Sequence, residues 1–355
     1  MKDMVKTIRV AVGITDNGWD ERFVNALEDE SEKGYPLSYD RINLDGSDWI
    51  NKVKPFDMVI WKPDDMEALK ALRFKERIYI MEKHLGKLVV PNFNTIWHFE
   101  SKIAQSYLFE IEKVPTPKTT VSHDQHDAAR LLQSLDLPLV FKQSEGASSK
   151  NVQLVHSRRA AKKLFDEAFC GRMYREARLD RGPRWKAILK LARKPWFWRF
   201  VWHYLLNKEP TGCLYFQEFM PNNDSDLRIT VIGDRYAYGF WRNNRKGDFR
   251  ASGSGNIDFQ RPVPEEPLRY CMELNRRFDF DSMAYDILFD GNRFVVTEMS
   301  YAYVDWAPQK TAGYHLLLDN RQLEFVEGHV WPQTLWVAWA LQRAQHFFDK
   351  QVVDD

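Results

Sequence analysis

AYDILFDGNRFVVTEMS, residues 284–300, is typical of two apolar β-strands joined by a tight turn at the sequence DGN. Each strand carries one acid in a hydrophobic setting, Asp286 in the first and Glu298 in the second. If DGN is the whole connection, Asp286 lies opposite Val296, and Glu298 is its diagonal neighbour on the same face. Ser300 then joins them there. The stretch therefore predicts a hairpin that gathers two carboxylates and a hydroxyl.

This arrangement of acids makes the hairpin a candidate metal site. Two carboxylates a diagonal step apart repel one another, and burying them is costly unless a cation lies between them. Hard oxygen ligands on rigid strands suit magnesium. Two alternatives remain open: the acids face water, or a two-residue turn directs them to opposite faces.

The composition is that of a globular protein with cores of its own. Its 355 residues suffice for two or three subdomains, and a formal charge of +1 argues against a globally electrostatic nucleic-acid binder. Cys170, Cys213 and Cys271 are widely separated and form no metal-binding pattern, which favours a reduced, cytoplasmic setting. The sequence shows neither a signal peptide nor an apolar run of about 18 residues, so we expect no membrane span.

Residues 1–95 alternate short apolar strands with helical patterns, which predicts a parallel α/β domain. A glycine-rich dinucleotide fingerprint is missing after its first strand. Strands and helices also alternate over residues 118–169, which predicts a compact mixed unit there. Within it, the loop 144–151 lies between two strands, so it is a hairpin tip that could fold over a ligand; its alternative is an ordinary polar turn.

A helix is predicted over residues 99–113 because apolar side chains recur there at helical spacing. Ile103, Tyr107 and Ile111 share one face with Leu108, and Lys102 lies off that face. The apolar face is therefore predicted to pack inward.

Residues 171–212 form a basic, tryptophan-rich segment that interrupts the strand pattern and predicts a helical insertion. Three interpretations compete: a helical pair with solvated arginines, a surface that docks on an anionic membrane, and a lid or docking surface for an acidic acceptor. Nucleic acid ranks lowest, because the bulk charge is neutral and no nucleic-acid motif is recognisable.

Strand patterns resume after residue 212 and are followed by the polar, basic loop RNNRKGDFRASGSGN, residues 242–256. Arg242, Arg245, Lys246 and Arg250 in this loop could cradle phosphates together with backbone amides. The tail ends in an amphipathic helix that we interpret as structural.

Seven signals, each weak alone, follow one another along the chain. They are a lysine on a helix (Lys102), a lysine in an apolar strand (Lys142), the hairpin tip 144–151, QEFM at 217–220, an Asp-x-Arg (Asp226 and Arg228), the basic loop, and the paired acids. In this order they resemble the ATP-grasp superfamily, in particular its glutathione-synthetase and ribosomal-protein glutamate-ligase branch. The resemblance covers about residues 88–300. It implies an α+β ATP-grasp fold with an N-terminal α/β domain and a helical insertion.

The resemblance also implies a binding site for ATP. Lys102 and Lys142 match the lysines that contact the nucleotide phosphates. The loop that closes over the phosphates is matched by Glu145, Gly146, Ser148 and Ser149. The segment that holds adenine is matched by Gln217, Glu218, Phe219 and Met220. Asp226 matches the acid near the ribose. Arg228 and Arg250 match arginines near the acceptor and the γ-phosphate, with Ala251 and Ser252 beside Arg250.

The metal ligands that the resemblance implies are Asp286, Glu298 and Ser300, which would hold Mg²⁺ or, in its place, Mn²⁺. The chain departs from the family pattern at Ser300, where asparagine is usual, and in the following YAYVDW, which replaces a small, glycine-containing continuation.

The sequence thus predicts an N-terminal domain at 1–95, an ATP-grasp domain at 96–302 and a C-terminal helical tail at 303–355. Within the ATP-grasp domain, a first lobe (96–170) and a second lobe with the metal site (213–302) flank the insertion. The predicted function is an ATP- and Mg²⁺-dependent ligase that joins a small-molecule or peptide carboxylate to an amine through an acyl phosphate. One alternative is a non-catalytic ATP-binding module or membrane-docked scaffold with this fold. Another is an enzyme that phosphorylates its substrate without ligation.

Overall fold

The computed structural model describes residues 7–63, 68–142, 152–170, 212–251 and 253–354. These residues divide into two compact units, the first comprising those up to Thr116 and from Met220 onward, the second those from Pro117 to Phe219. Predicted site residues that lie outside the described residues are Glu145, Gly146, Ser148, Ser149 and Ser252, and so does all of the insertion but its last residue. The predicted domain boundaries stay predictions.

The N-terminal part of the first unit is the parallel α/β arrangement that its alternating pattern predicts. Its strands are β1 (Ile8–Gly13), β2 (Leu37–Ile42), β3 (Met58–Ile60) and β4 (Leu88–Val90). They pair in parallel in the order β2-β1-β3-β4. The helices are α1 (Trp19–Glu32), α2 (Trp49–Val53), α3 (Ala68–Lys83), α4 (Phe93–Ile96) and α5 (Lys102–Ile111).

The second unit is a small antiparallel sheet with two helices. It contains β5 (Thr119–Ser122), α6 (Gln125–Leu131), β6 (Leu139–Lys142), β7 (Val152–Val155), α7 (Arg158–Cys170) and β8 (Leu214–Glu218). The sheet order is β5-β8-β6-β7. Phe141, Phe216 and Leu164 are buried together in its core.

The rest of the first unit is built on a larger antiparallel sheet. Its strands are β9 (Ser225–Ile232), β10 (Tyr236–Asn243), β11 (Ile257–Asp258), β12 (Ser282–Phe289), β13 (Phe294–Ser300), β14 (Gly313–Leu317) and β15 (Leu323–Glu327). The order is β13-β12-β9-β10-β14-β15, with β11 paired to β10. The helices are α8 (Glu265–Phe278), α9 (Trp306–Gln309) and α10 (Pro332–Asp354). Among the described residues, α10 and the other helices are too short or too polar to cross a membrane.

Alternate residues of β9 enter two different cores, which fixes the orientation of the sheet. Leu227, Ile229 and Val231 are buried with α8 in one core. Ile232 is buried in a second core that includes Trp336 of α10. Because side chains alternate along a strand, Asp226, Arg228 and Thr230 share the face of Ile232.

The hairpin of β12 and β13 forms as predicted, but its register differs from the three-residue connection considered above. The connection has four residues, because Phe289 pairs with Phe294. The register then shifts at a β-bulge, so that Ile287 pairs with Val296 but Asp286 pairs directly with Glu298. The diagonal placement was therefore wrong. The two acids are direct cross-strand neighbours on one face, so the alternative that places them on opposite faces fails. The alternative that both acids face water fails for Asp286, which is buried.

Contacts on both sides of the bulge account for the shift. The Val296 N–H donates to Pro115 O at 2.8 Å, which turns this amide away from β12. The Thr297 hydroxyl donates to Asp286 O at 3.0 Å and covers the carbonyl beside the extra residue. The first of these contacts comes from a distant segment, which a turn sequence cannot report.

Helix α5 buries a different face from the predicted one, although Leu108 of the predicted face packs against the core. Ile111 is 74% exposed and Tyr107 is 41% exposed, whereas Lys102 is buried. The other buried residues of α5 are Gln105, Ser106 and Phe109. The Gln105 side chain accepts a hydrogen bond from Met299 N at 3.3 Å, so a mixed polar face packs against β13.

Glu82, at the end of α3, makes the stability of the fold depend on pH. Burial raises the pKa of Glu82 from its ordinary value of 4.5 to about 7, although a hydrogen bond from Phe93 N–H opposes this shift. The folded state thus binds the proton more tightly than the unfolded state, and stability is lost as pH rises from 4.5 through about 7. Glu82→Gln should therefore raise the free energy of unfolding by about 1–3 kcal/mol at pH 8 and by little near pH 4.5.

Denaturant unfolding of both proteins across this pH range measures the difference. Glu110→Gln, at an exposed position of α5, is the matched control and should leave the stability curve unchanged. Equal stabilisation by Glu82→Gln at both ends of the pH range would contradict the burial argument.

Candidate active site

Asp286 lies at the centre of a charged cluster on the larger sheet. Its Oδ1 accepts hydrogen bonds from Arg228 Nε at 2.7 Å and is 2.6 Å from Arg228 Nη2. Its Oδ2 is 2.7 Å from Arg242 Nη2. The register places these residues, since Asp286 pairs with Arg228 across β12 and β9. Both oxygens of this buried carboxylate are therefore held by guanidinium groups.

Arg242 joins Asp286 to a second buried acid, Asp226, which pairs with it across β9 and β10. Arg242 Nε donates to Asp226 Oδ1 at 2.7 Å and Nη2 donates to Asp226 Oδ2 at 2.5 Å. This two-bond fork is the strong form of an arginine–carboxylate contact. Asp226, predicted near a ribose, is thus tied to the predicted metal ligand through one arginine.

Glu298 extends the cluster to β13 and to helix α5. Lys102 Nζ lies 3.3 Å from Glu298 Oε1. Lys102 is the first residue of α5, whose start is capped by Ser101 through a hydrogen bond from Ala104 N–H. The Glu298 side chain is 38% exposed, against 8% for Asp286. One acid of the pair is thus open to solvent and the other is enclosed.

The cluster balances its charge within itself. Three acids, Asp226, Asp286 and Glu298, meet three bases, Lys102, Arg228 and Arg242. Burial alone would raise the pKa of Asp286, but Arg228 and Arg242 outweigh it and hold that pKa below its ordinary value. Asp286 is therefore an ionised carboxylate in a buried setting, as a metal ligand must be.

The third predicted metal ligand, Ser300, lies in the same part of the chain. Ser300 ends β13, where it pairs with Ala284, and its Oγ accepts a hydrogen bond from Ala302 N–H at 3.2 Å. Within the described ranges, no three His, Cys, Asp or Glu side chains form a metal-binding group. The candidate ligand set therefore has two carboxylates at most, with the hydroxyl of Ser300 two residues beyond Glu298.

The basic loop is only partly associated with the cluster. Arg250 Nη2 lies 2.5 Å from Asp248 Oδ2, and Arg250 Nε also donates to that carboxylate. Ala251 is buried beside it. Arg242 was considered above as a loop residue that cradles phosphate, but it lies inside β10 and is buried. The alternation of Tyr238, Phe240 and Arg242 along one strand was the signal that could have shown this.

The second unit holds most of the remaining predicted nucleotide residues. Lys142 is buried at the end of β6. Gln217 is buried in β8, pairs with Val140 and donates to Thr119 Oγ1 at 3.0 Å. Glu218 is exposed and accepts a hydrogen bond from Lys118 N–H at 3.3 Å. Phe219 follows directly, and Met220 begins the next segment of the first unit. The site assignments stay predictions.

Comparisons with known proteins agree with this architecture. No family model matches the chain. It is 23% identical over 225 residues to the alpha-aminoadipate–LysW ligase LysX of Saccharolobus solfataricus, covering 61% of this chain and 67% of that protein. The D-alanine–D-alanine ligase of Bacillus anthracis superposes with a TM-score of 0.52 at 10% identity, over 97% of this chain and 99% of the other. The ATP-grasp ligase PsnB complexed with minimal precursor, Mg and ADP gives 0.52 at 11%, over 96% and 99%.

The fold is therefore the ATP-grasp fold, and the predicted α+β class is confirmed. The chain is similar in sequence to LysX and in structure to other ATP-grasp ligases, which confirms the family resemblance.

Proposed function

We propose that this chain is an ATP- and Mg²⁺-dependent ligase that joins a carboxylate to an amine through an acyl phosphate, releasing ADP and phosphate. The observation that carries the proposal is the direct pairing of Asp286 with Glu298, bounded by Lys102 on one side and Arg228 on the other. Oxygen ligands and cations on one sheet face are what phosphoryl transfer needs to balance charge. PsnB, which shares the fold, is complexed with Mg and ADP.

The donor set fits a hard divalent cation. Glu298 offers a carboxylate that is open to solvent, and Asp286 offers an ionised carboxylate directly across the ladder. Asp286 would bind the cation through Oδ1 or Oδ2, each of which has an arginine as its present partner. A bound Mg²⁺ would neutralise charge on the phosphates of ATP.

Each remaining residue has a role that follows from its charge and position. Lys102 carries a positive charge next to Glu298, and we assign it to the nucleotide phosphates. Arg228 is assigned to the acceptor carboxylate, because it is the more exposed of the two arginines on Asp286. Lys142 and the segment 217–220 are assigned to ATP, and Arg250 to the γ-phosphate.

The chemistry then proceeds in two displacements. An oxygen of the acceptor carboxylate attacks the γ-phosphorus, the bond to the β-phosphate oxygen breaks, and ADP leaves with that electron pair. The amine nitrogen next attacks the acyl carbon, phosphate leaves, and the nitrogen loses a proton to give the amide. Guanidinium and ammonium groups balance the negative charge at both steps.

The substrates are proposed to be small molecules or peptides. LysX is named for α-aminoadipate and LysW, and PsnB is complexed with a minimal precursor. Docking of the segment 171–212 on an anionic membrane or a lipid-linked acceptor also stays a prediction.

The test is ADP formation measured against pools of carboxylates and amines. The proposed ligase should release ADP at a high rate only when one carboxylate and one amine are both present, and mass spectrometry should show their amide. A phosphorylated product without an amide would support the kinase alternative. ATP binding without ADP release under every combination would support the non-catalytic alternative, which Ser300→Asn would then test by restoring turnover.

A further inference from the structure

Two arginines hold the same carboxylate, Asp286, but they are anchored very differently. Arg242 contacts two acids, Asp226 through a two-bond fork and Asp286 through Nη2. Arg228 directs both of its contacts to a single atom, Asp286 Oδ1, at 2.7 Å and 2.6 Å. Before a metal binds, each oxygen of Asp286 therefore has its own arginine partner: Arg228 contacts Oδ1 and Arg242 contacts Oδ2.

Arg242 is the fixed partner. Its side chain is 8% exposed, and moving it would leave Asp226 as a buried acid without its arginine and Asp286 with Arg228 as its remaining partner. An arginine side chain stays protonated in proteins, and this guanidinium lies between two buried carboxylates. The guanidinium is therefore a permanent cation at Oδ2.

Arg228 is the exchangeable partner. Its side chain is 20% exposed, more than twice the value for Arg242, and among the residues that the structure describes its ion pairs involve no acid besides Asp286. A divalent cation that takes Oδ1 would replace the charge that Arg228 supplies there, so Asp286 would stay compensated. The displaced guanidinium would then be available to a carboxylate substrate at the same site.

We propose that Arg242 is a positioning residue, which fixes Asp286 for metal binding, and that the metal displaces Arg228 from Asp286. This inference rests on the proposed function, because it assumes that Asp286 and Glu298 bind a divalent cation. It assigns opposite roles to two arginines that contribute the same charge to the same carboxylate.

The experiment compares Mn²⁺ binding to wild type, Arg228→Gln and Arg242→Gln, with free Mn²⁺ followed by electron paramagnetic resonance. Arg228→Gln removes the competitor, so it should tighten Mn²⁺ binding at least about threefold. Arg242→Gln should weaken it by about tenfold or more, the usual range for residues that orient a metal ligand. Without Arg242, Arg228 is the single guanidinium left to balance both Asp226 and Asp286, and it competes harder with the cation.

The opposite signs separate the proposal from simpler explanations. If these arginines acted only through their charge, both variants would tighten binding; if they only supported the fold, both would weaken it. Either result overturns the inference. Arg242→Lys keeps the charge and should recover part of the affinity, and it provides a second test if Arg242→Gln does not fold.

Glu298→Ala distinguishes failure of this inference from failure of the proposed function. Loss of Mn²⁺ binding in this variant supports the metal site itself. If wild type binds no Mn²⁺, or Glu298→Ala binds it as well as wild type, the metal site is wrong and the inference falls with it. If that site is supported but the two arginine variants shift in the same direction, the inference alone fails.

Discussion

Replacing Glu298 with alanine is expected to abolish turnover while leaving the fold intact. The side chain is 38% exposed and its ion pair within the described part of the chain is with Lys102, so its loss removes little packing. In the proposed metal site, however, Glu298 is the carboxylate that is open to solvent and supplies negative charge to the cation. Its removal should lower kcat/KM for ADP formation by about 10²-fold or more, as for the loss of one group that stabilises transition-state charge.

Calorimetric titration gives a second readout that does not depend on finding the substrates. Wild type should bind ATP more tightly with Mg²⁺ than without it, and Glu298→Ala should lose that difference. Glu324→Ala, at an exposed position of β15 in the same sheet, is the control and should behave as wild type. Undiminished Mg²⁺-dependent binding in Glu298→Ala would refute the assignment of Glu298 as a ligand.

The sequence predicted those parts of the site that depend on local pattern. The DGN turn between apolar runs predicted the hairpin. This prediction succeeded because the turn is stabilised locally: Asp290 Oδ1 accepts hydrogen bonds from Asn292 and Arg293 N–H at 2.8 and 2.9 Å. The strands of the N-terminal sheet were predictable from short apolar runs that alternate with helical patterns. The order of the motifs predicted the ATP-grasp fold, which the structural comparisons confirm.

What the sequence could not predict depends on contacts between distant segments. The bulge that sets Asp286 opposite Glu298 involves Pro115, which is far from the hairpin in sequence. Periodicity ranks apolar residues as buried, so it assigned the wrong face of α5 to the interior. Lys102 and Gln105 lie inward because Glu298 and the Met299 amide supply partners for them there.

The charged cluster also explains why such a polar helix face is tolerated in the core. A buried lysine or arginine is costly unless a carboxylate compensates it. Here each of the three bases has an acid within 3.3 Å, and two of the acids lie on neighbouring strands of a rigid sheet. The candidate site thus breaks the apolar pattern, and sequence patterns are least informative at such positions.

Asp281→Ala is expected to have the largest effect on stability. The carboxylate is fully buried directly before β12 of the larger sheet, where its Oδ1 accepts hydrogen bonds from Trp339 Nε1 at 2.8 Å and from Arg343. Its Oδ2 accepts from Asn92 N–H at 2.7 Å. Removing it leaves three donors unmatched, one of them a charged guanidinium, and breaking such a buried pair costs about 3–5 kcal/mol. That is a large part of the roughly 5–15 kcal/mol by which proteins are stable.

Denaturant unfolding followed by circular dichroism measures this loss, and two variants show its origin. Asp281→Asn keeps an oxygen that can accept hydrogen bonds but lacks the charge, so it should lose less than Asp281→Ala. Asp319→Ala removes an acid whose side chain is 93% exposed and which pairs with Arg235 at 2.9 Å, so it should cost at most about 1 kcal/mol. If Asp281→Ala cost no more than Asp319→Ala, burial would not be what makes this ion pair matter. The charged cluster would then not depend on charge compensation either, since its ion pairs and that of Asp281 are expected to matter for the same reason, the cost of a buried charge without its partner.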